Sequence, residues 1–252
     1  MNDTTTRGDV KISGTGTVAT GTYRDVRISG SGTLTGDIDC QSFKVSGAVD
    51  GRGSLKAEQI GVSGSMKFDG DVDAGAIKVS GSASFGRAHV GELRVSGSVR
   101  FGGDLSGETI DVQGTVSVHG DCEAERFTGA GGFAVDGLLN AGVVDIRLHG
   151  ASSAREIGGE AINVRFAPIP LQRLVAVFVP SYDPRLVVES IEGDDVHLEH
   201  TKARAVRGKR VFLGSGCEVD LVEYAETFER AGDARVKTAR KAGDSGTTSE
   251  SD

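Results

Sequence analysis

Hydrophobic and polar residues alternate along most of this chain, and a recurring hydrophobic-x-hydrophobic-x-Gly unit punctuates the alternation. The unit begins at Val10, Val26, Phe43, Ile60, Ile77, Leu93, Ile110, Phe127 and Ile146, at intervals of 16, 17, 17, 17, 16, 17, 17 and 19 residues. A tenth copy starts at Ile162, with Phe166 in the glycine position. Self-similarity at a short fixed period marks a stack of repeats, so the chain reads as a solenoid before any question of chemistry arises.

The fourth repeat shows the local pattern most cleanly. Ile60, Val62, Gly64, Met66, Phe68, Gly70, Val72 and Ala74 share one parity, and polar residues or glycine fill the other. Side chains alternate across a strand, so the first set points inward and the second outward. A two-residue corner, Gly75-Ala76, then reverses the parity, and Ile77 and Val79 face inward again. Three short strands per repeat predict an all-β, single-stranded, three-sided β-helix of about 17 residues per coil, with coils about 4.8 Å apart. Its hand cannot be read from the pattern.

Stacking turns the repeat into columns. One runs from Val10 to Ile162 through the first residue of every unit, and a parallel one holds the glycines from Gly14 to Gly150. An inward glycine near a bend has two physical explanations: a positive φ, or a close approach between coil walls. The sequence leaves both open. The 16-residue coils read as single deletions at Gly21 to Tyr23 and Gly86 to Ala88, and the 19-residue coil as a longer corner at Gly142 to Asp145. On this reading residues 10–166 form the main block of about ten coils, after a disordered tail at residues 1–9.

All four prolines fall within residues 167–185, where the pattern stops. Leu171, Leu174, Val175 and Phe178 belong to an apolar run there that is too short to cross a bilayer. It reads as a cap or crossover over the end of the coil stack or, alternatively, as a partner or membrane-surface contact or a disordered linker. Regularity returns at Leu186: Ile191 to Leu198 matches Val206 to Leu213 at an interval of 15, which predicts a second block of coils over residues 186–228. Charged and then Gly/Ser/Thr-rich sequence follows, so residues 229–252 read as mostly disordered.

Composition narrows the function. The 38 glycines, absent tryptophan and few aromatic residues suit a narrow interior packed in layers rather than an ordinary globular core. A net charge of −8 lacks the electrostatic footprint of a nucleic-acid binder, so no nucleic acid is expected as a partner. Cys40, Cys122 and Cys217 are scattered without CxxC spacing; Cys40 and Cys122 occupy inward columns and read as core residues. No apolar leader or long apolar span occurs in the sequence, and the expectation is a cytoplasmic protein, with attachment at the inner membrane face as the alternative.

No chemistry emerges from spacing. His89, His119 and His149 lie on outward parities of separate coils, and His197 and His200 fall on a strand rather than on the helix that a metalloprotease motif needs. The Gly-x-Gly pairs are followed by neither a helix nor a Lys-Ser/Thr pair, and so read as turns. No enzyme activity, cofactor, metal or small-molecule substrate is expected. Lys202, Arg204, Arg207, Lys209 and Arg210 form a basic patch that is either a solvated face or a contact for anionic lipid, nucleic acid or the acidic face of another subunit.

With that pattern in place, the chain resembles the bactofilins, polymer-forming cytoskeletal proteins of prokaryotes. The Val-Ser-Gly coils resemble the family's β-helical core, and the stretch from Ile191 to Tyr224 is similar to that of long members with a second block of coils. The resemblance implies a right-handed β-helix that polymerises through its ends without nucleotide and acts in cell shape or scaffolding, with itself as principal partner. Candidate interface residues in the first coil are Val10, Ile12, Val18 and Tyr23. Two alternatives compete with this function: a non-polymerising adaptor that binds partners through its faces, and an acyltransferase-like β-helix, against which the 17-residue period and the lack of a catalytic His both argue.

Overall fold

The computed structural model describes residues 7–166 and 184–243. It is a parallel β-solenoid of about 13 turns with about 17 residues per turn, built from 21 strands among the described residues. Each strand pairs in parallel with its counterpart one turn away. Ile60 aligns with Phe43 below and Ile77 above, and Phe68 aligns with Gly51 and Phe85. The parity read from the sequence holds throughout the fourth repeat: Ile60, Val62, Met66, Phe68, Val72 and Ala74 are buried, and Ser63, Ser65, Lys67, Asp69, Asp71 and Asp73 are exposed. Pairing is interrupted at Gly64, at Gly70 and at Gly75, and these three points divide the turn into three sides.

The interior is a file of aliphatic layers with phenylalanine at intervals. Phe43, Phe68, Phe85, Phe101 and Phe127 are fully buried, and Phe85 stacks on Phe101 with ring centroids 5.7 Å apart. At one corner, aspartates tie successive turns together. Asp37 accepts hydrogen bonds from the Ser54 amide and hydroxyl, Asp104 from the Asp121 amide, and Asp121 from the Leu138 amide. Those amides would otherwise lack a partner where the ladder bends.

The glycine column has one physical cause. Gly47, Gly64, Gly81, Gly97, Gly114 and Gly131 are not among the positive-φ glycines, but a Cβ on any of them would sit about 2 Å from the carbonyl oxygen of the preceding glycine in the column. Close approach between turns, not left-handed backbone, excludes a side chain here.

Three expectations need correction. Ile146 pairs with Gly129, and it is Val144 that stacks on Phe127. The longer corner therefore lies between Ile146 and Ala154 rather than at Gly142 to Asp145, and a register shift between Val135 and Leu138 follows it. The Ile146-x-Leu148-x-Gly150 sequence imitates the repeat unit two residues out of register, and Gly150 has only the Gly132 Cα, 4.0 Å away, near its Cβ position. In the first coil the deletion falls between Val18 and Gly21, just before the place expected.

The second correction concerns the tails. Gly8 already begins a strand, Gly8–Ile12, and at the other end strands Glu218–Arg230 and Arg235–Lys241 pair in parallel, so ordered structure extends well past residue 228. Backbone pairing outweighs the charged composition there, because inward Ala234 and Val236 still supply the alternate apolar positions.

Third, the two blocks are one stack. Ser152 pairs with Leu186 and Val164 with Leu198. The interval from Ser152 to Leu186 is 34 residues and that from Leu186 to Thr201 is 15. The calls on Leu171, Leu174, Val175 and Phe178 lie outside the described residues.

Candidate assembly surfaces

The first turn forms one end of the stack. Val10 and Ile12 are half-buried, packed on the core from above and open below, while Val18 is fully buried. Val10 lies under Val26 and Ile12 under Ile28, so both continue interior columns to the end of the rod. Tyr23 is half-buried over Gly8, which has no side chain to cover it, and its hydroxyl donates to the Ala19 carbonyl at 2.8 Å. The structure thus gathers Val10, Ile12, Val18 and Tyr23 at one end of the rod.

Gly14 distinguishes this end. Every glycine above it in the column from Gly30 to Gly131 meets a backbone carbonyl from the turn below, whereas a Cβ on Gly14 would have nothing within 4 Å. Among the described residues no turn lies beneath it.

The opposite end has a different chemistry. Strand Arg235–Lys241 lies on top and is largely exposed, with only Val236 packed on the core. Its cations pair with carboxylates of the turn beneath: Arg235 with Glu218 at 3.6 Å, Lys237 with Asp220 at 2.8 Å, and Arg240 with Glu223.

The basic patch belongs to the same ladder of ion pairs. Arg204 meets Glu189 at 2.8 Å, Arg207 meets Glu223 at 2.6 Å, Lys209 meets Asp194 at 2.7 Å, and Arg210 bridges Asp195 at 2.5 Å and Glu226 at 3.0 Å. Lys202 aligns with Glu218 and makes no ion pair among the described residues. Hydrogen bonds from Arg210 hold the Asp195 carboxyl below the usual carboxylate range, and Arg240 followed by Arg207 does the same for Glu223. The patch is therefore a set of cations matched by carboxylates one turn away, not a surplus of positive charge. Exposed pairs of this kind contribute little individually.

A second set of cations went unread in the sequence. Lys11, Arg27, Lys44, Lys78 and Arg94 occupy the middle position of the hydrophobic-x-hydrophobic unit and stack in one outward column, with Gly61 between Lys44 and Lys78. The signal lies in five of the first six copies of the unit, at the outward position between the two inward residues. The column changes sign at Asp111.

Buried groups offer no chemistry of their own. Burial pushes the Cys40 and Cys122 thiols up to about 12, and burial first of all raises Cys217 to about 11. Thiols held neutral in this way are core residues rather than nucleophiles. No group of three or more metal-ligating side chains occurs among the described residues, and none of the described segments is a helix long and apolar enough to cross a membrane.

These features define a parallel β-solenoid whose candidate surfaces are its ends and outer faces. Residues 2–88 match the family model of the bactofilins, described as polymer-forming cytoskeletal, and over that stretch the chain is similar to that family. It is also similar to two uncharacterized proteins of Bacillus subtilis (strain 168). YhbE is 40% identical over 110 residues, 42% of this chain and 44% of that one. YhbF is 37% identical over 106 residues, 42% of each. The chain thus spans less than half the length of the curated relatives it matches. No solved structure matches.

Proposed function

We propose that this protein is a structural, non-enzymatic element that self-assembles through the ends of its solenoid, without nucleotide, into filaments that support cell shape or position partner proteins. The observation that carries this reading is Gly14. Its column excludes side chains because a carbonyl from the turn below fills the space, and Gly14 keeps the glycine although its own space is open. A turn from another subunit would fill it. Among the described residues no strand pairs with the lower edge of Gly8–Ile12, which carries half-buried Val10 and Ile12, and another coil end is its natural complement. Docking would exchange water for ladder hydrogen bonds and bury apolar surface at about 25 cal/mol per Å².

Negative-stain imaging of purified protein without nucleotide tests the reading. Fibres are the expected result, and a monodisperse monomer at high concentration across a range of salt would overturn it. One observation favours a second reading, a non-polymerising adaptor: the end formed by Arg235–Lys241 carries ion-paired side chains rather than open apolar layers. If only the first turn is adhesive, two-fold contact of like ends stops at a dimer. Light scattering after gel filtration separates that dimer from filaments.

A further inference from the structure

We infer that the column of Lys11, Arg27, Lys44, Lys78 and Arg94 is a docking stripe for a planar anionic surface, a bilayer carrying acidic phospholipid. Four observations support it. The five cations are all exposed and lie on one side of the rod over six successive turns, on the order of 24 Å at the usual strand spacing.

Three of the five are uncommitted. Arg27 and Arg94 lean on carboxylates of their own turn, Asp25 at 3.5 Å and Glu92 at 2.6 Å, whereas Lys11, Lys44 and Lys78 make no ion pair among the described residues. This contrasts with the basic residues of the upper turns, four of which are matched by carboxylates of a neighbouring turn.

Beside the stripe runs a parallel row of serines, two residues on in each repeat. Ser29, Ser46, Ser63, Ser80 and Ser96 are exposed, and their hydroxyls are free to donate toward phosphate oxygens. Cations flanked by hydroxyl donors suit phosphate headgroups better than a neighbouring protein's scattered carboxylates.

Charge also differs around the rod. The side following the stripe's turn by two corners carries Asp37, Asp71, Asp104 and Asp121 in one column, with Ser54 and Arg87 among them, Arg87 paired with Asp71 at 3.4 Å, and with Glu123 and Glu125 beside them. In a molecule of net charge −8 this gives a rod that an anionic plane would orient, stripe inward and carboxylates outward. A straight, rigid row meets a plane along its whole length, but meets a winding polyanion such as duplex DNA only at intervals.

The stripe lies on the wall of the solenoid and is distinct from the ends, so binding does not depend on assembly; filaments of the kind proposed above would repeat the stripe and raise avidity. The test is co-sedimentation of the full chain with vesicles of phosphatidylglycerol and phosphatidylcholine in equal parts, compared with phosphatidylcholine alone, at low salt. Binding to the acidic vesicles alone is expected. Each cation near such a surface is worth about fivefold in affinity. The triple variant Lys11→Gln, Lys44→Gln, Lys78→Gln should therefore lose on the order of 100-fold. A control with the same change in net charge on other sides, Lys56→Gln, Lys67→Gln, Lys202→Gln, should bind like the unaltered chain.

Circular dichroism and electron microscopy of the same variants show whether fold and assembly survive, and Gly14→Asp supplies an end-blocked form for the same vesicle assay. Failure of the unaltered chain to bind acidic vesicles overturns the proposal, as does equal loss in the control. Binding to duplex DNA without vesicle binding overturns it too, and so does loss of assembly in the triple variant with vesicle binding intact, which would make the stripe a contact between subunits. Vesicle binding by an unaltered chain that forms no filaments would sink the assembly reading alone.

Discussion

The carbonyl oxygen of Gly47 lies 2.0 Å from the point where a Cβ on Gly64 would sit. The neighbour is backbone and cannot swing aside, so Gly64→Ala must spread the two turns or bend one. A cost of roughly 2–3 kcal/mol is expected, within the usual range for overpacking. Gly14→Ala, at the open end of the same column, should leave thermal unfolding unchanged and weaken assembly. Melting curves of the two variants, with sedimentation to measure assembly, check the contrast; equal destabilisation would mean that Gly14 is covered within the monomer.

Phe68 fills the interior between Gly51 below and Phe85 above. A Cβ on Gly51 would lie 2.8 Å from the Phe68 ring and 2.9 Å from Leu34, so that layer holds one ring because its neighbour holds none. Phe68→Ala should cost about 3–5 kcal/mol, as for other buried aromatic truncations. Phe68→Leu, which leaves a smaller void, should lose less, measured by denaturant unfolding of both variants.

All three cysteines are buried and free. The native chain should resist a thiol-specific reagent at pH 8 and yield all three thiols once denatured. The sign of the accompanying pH effect follows from their raised values: the unfolded chain releases thiol protons from 9.0 upward while folded Cys40 and Cys122 hold theirs to about 12. Stability therefore declines as the solution is made alkaline across that window. Rapid native labelling of Cys40 would show that the lower turns open on the reagent's timescale.

Acid should loosen the upper end before the middle of the rod. Glu223 and Asp195 have carboxyls held below their ordinary range by arginine hydrogen bonds, so their contribution is present at neutral pH and disappears as the pH falls through those lowered values. Amide exchange followed toward pH 3 should rise earlier in strands Glu218–Arg230 and Arg235–Lys241 than in Ala88–Val95, whose inward residues are purely apolar. Uniform exchange along the rod would contradict this order.

The repeat was legible because period two and period seventeen reinforce each other: a strand must alternate, and a stacked strand must repeat its neighbour. The same logic misplaced one corner. Ile146, Leu148 and Gly150 satisfy the letters of the unit, and only pairing of Val144 with Phe127 shows that the register lies two residues earlier. Composition misread residues 229–241 for a related reason, since charge describes the outward parity and Ala234 and Val236 supply the inward one. The surfaces were harder to read. Which cations find carboxylates depends on residues 15 to 17 positions away, a distance at which linear sequence shows no neighbour. For that reason the cluster from Lys202 to Arg210 stood out although most of it is matched, and the dispersed cations from Lys11 to Arg94 did not.

Val164 stacks under Leu198 and Leu186 under Thr201 at the ordinary spacing, so the turn that carries Leu186 follows directly on the one that carries Ser152.

The same register makes the rod a ruler. Its length is set by the number of turns, roughly 60 Å for about 13 of them, and not by the number of residues. Corners can take up a whole segment while the axial repeat stays where it was. A subunit of this construction can therefore vary in what it displays at its corners and still keep step with its neighbours.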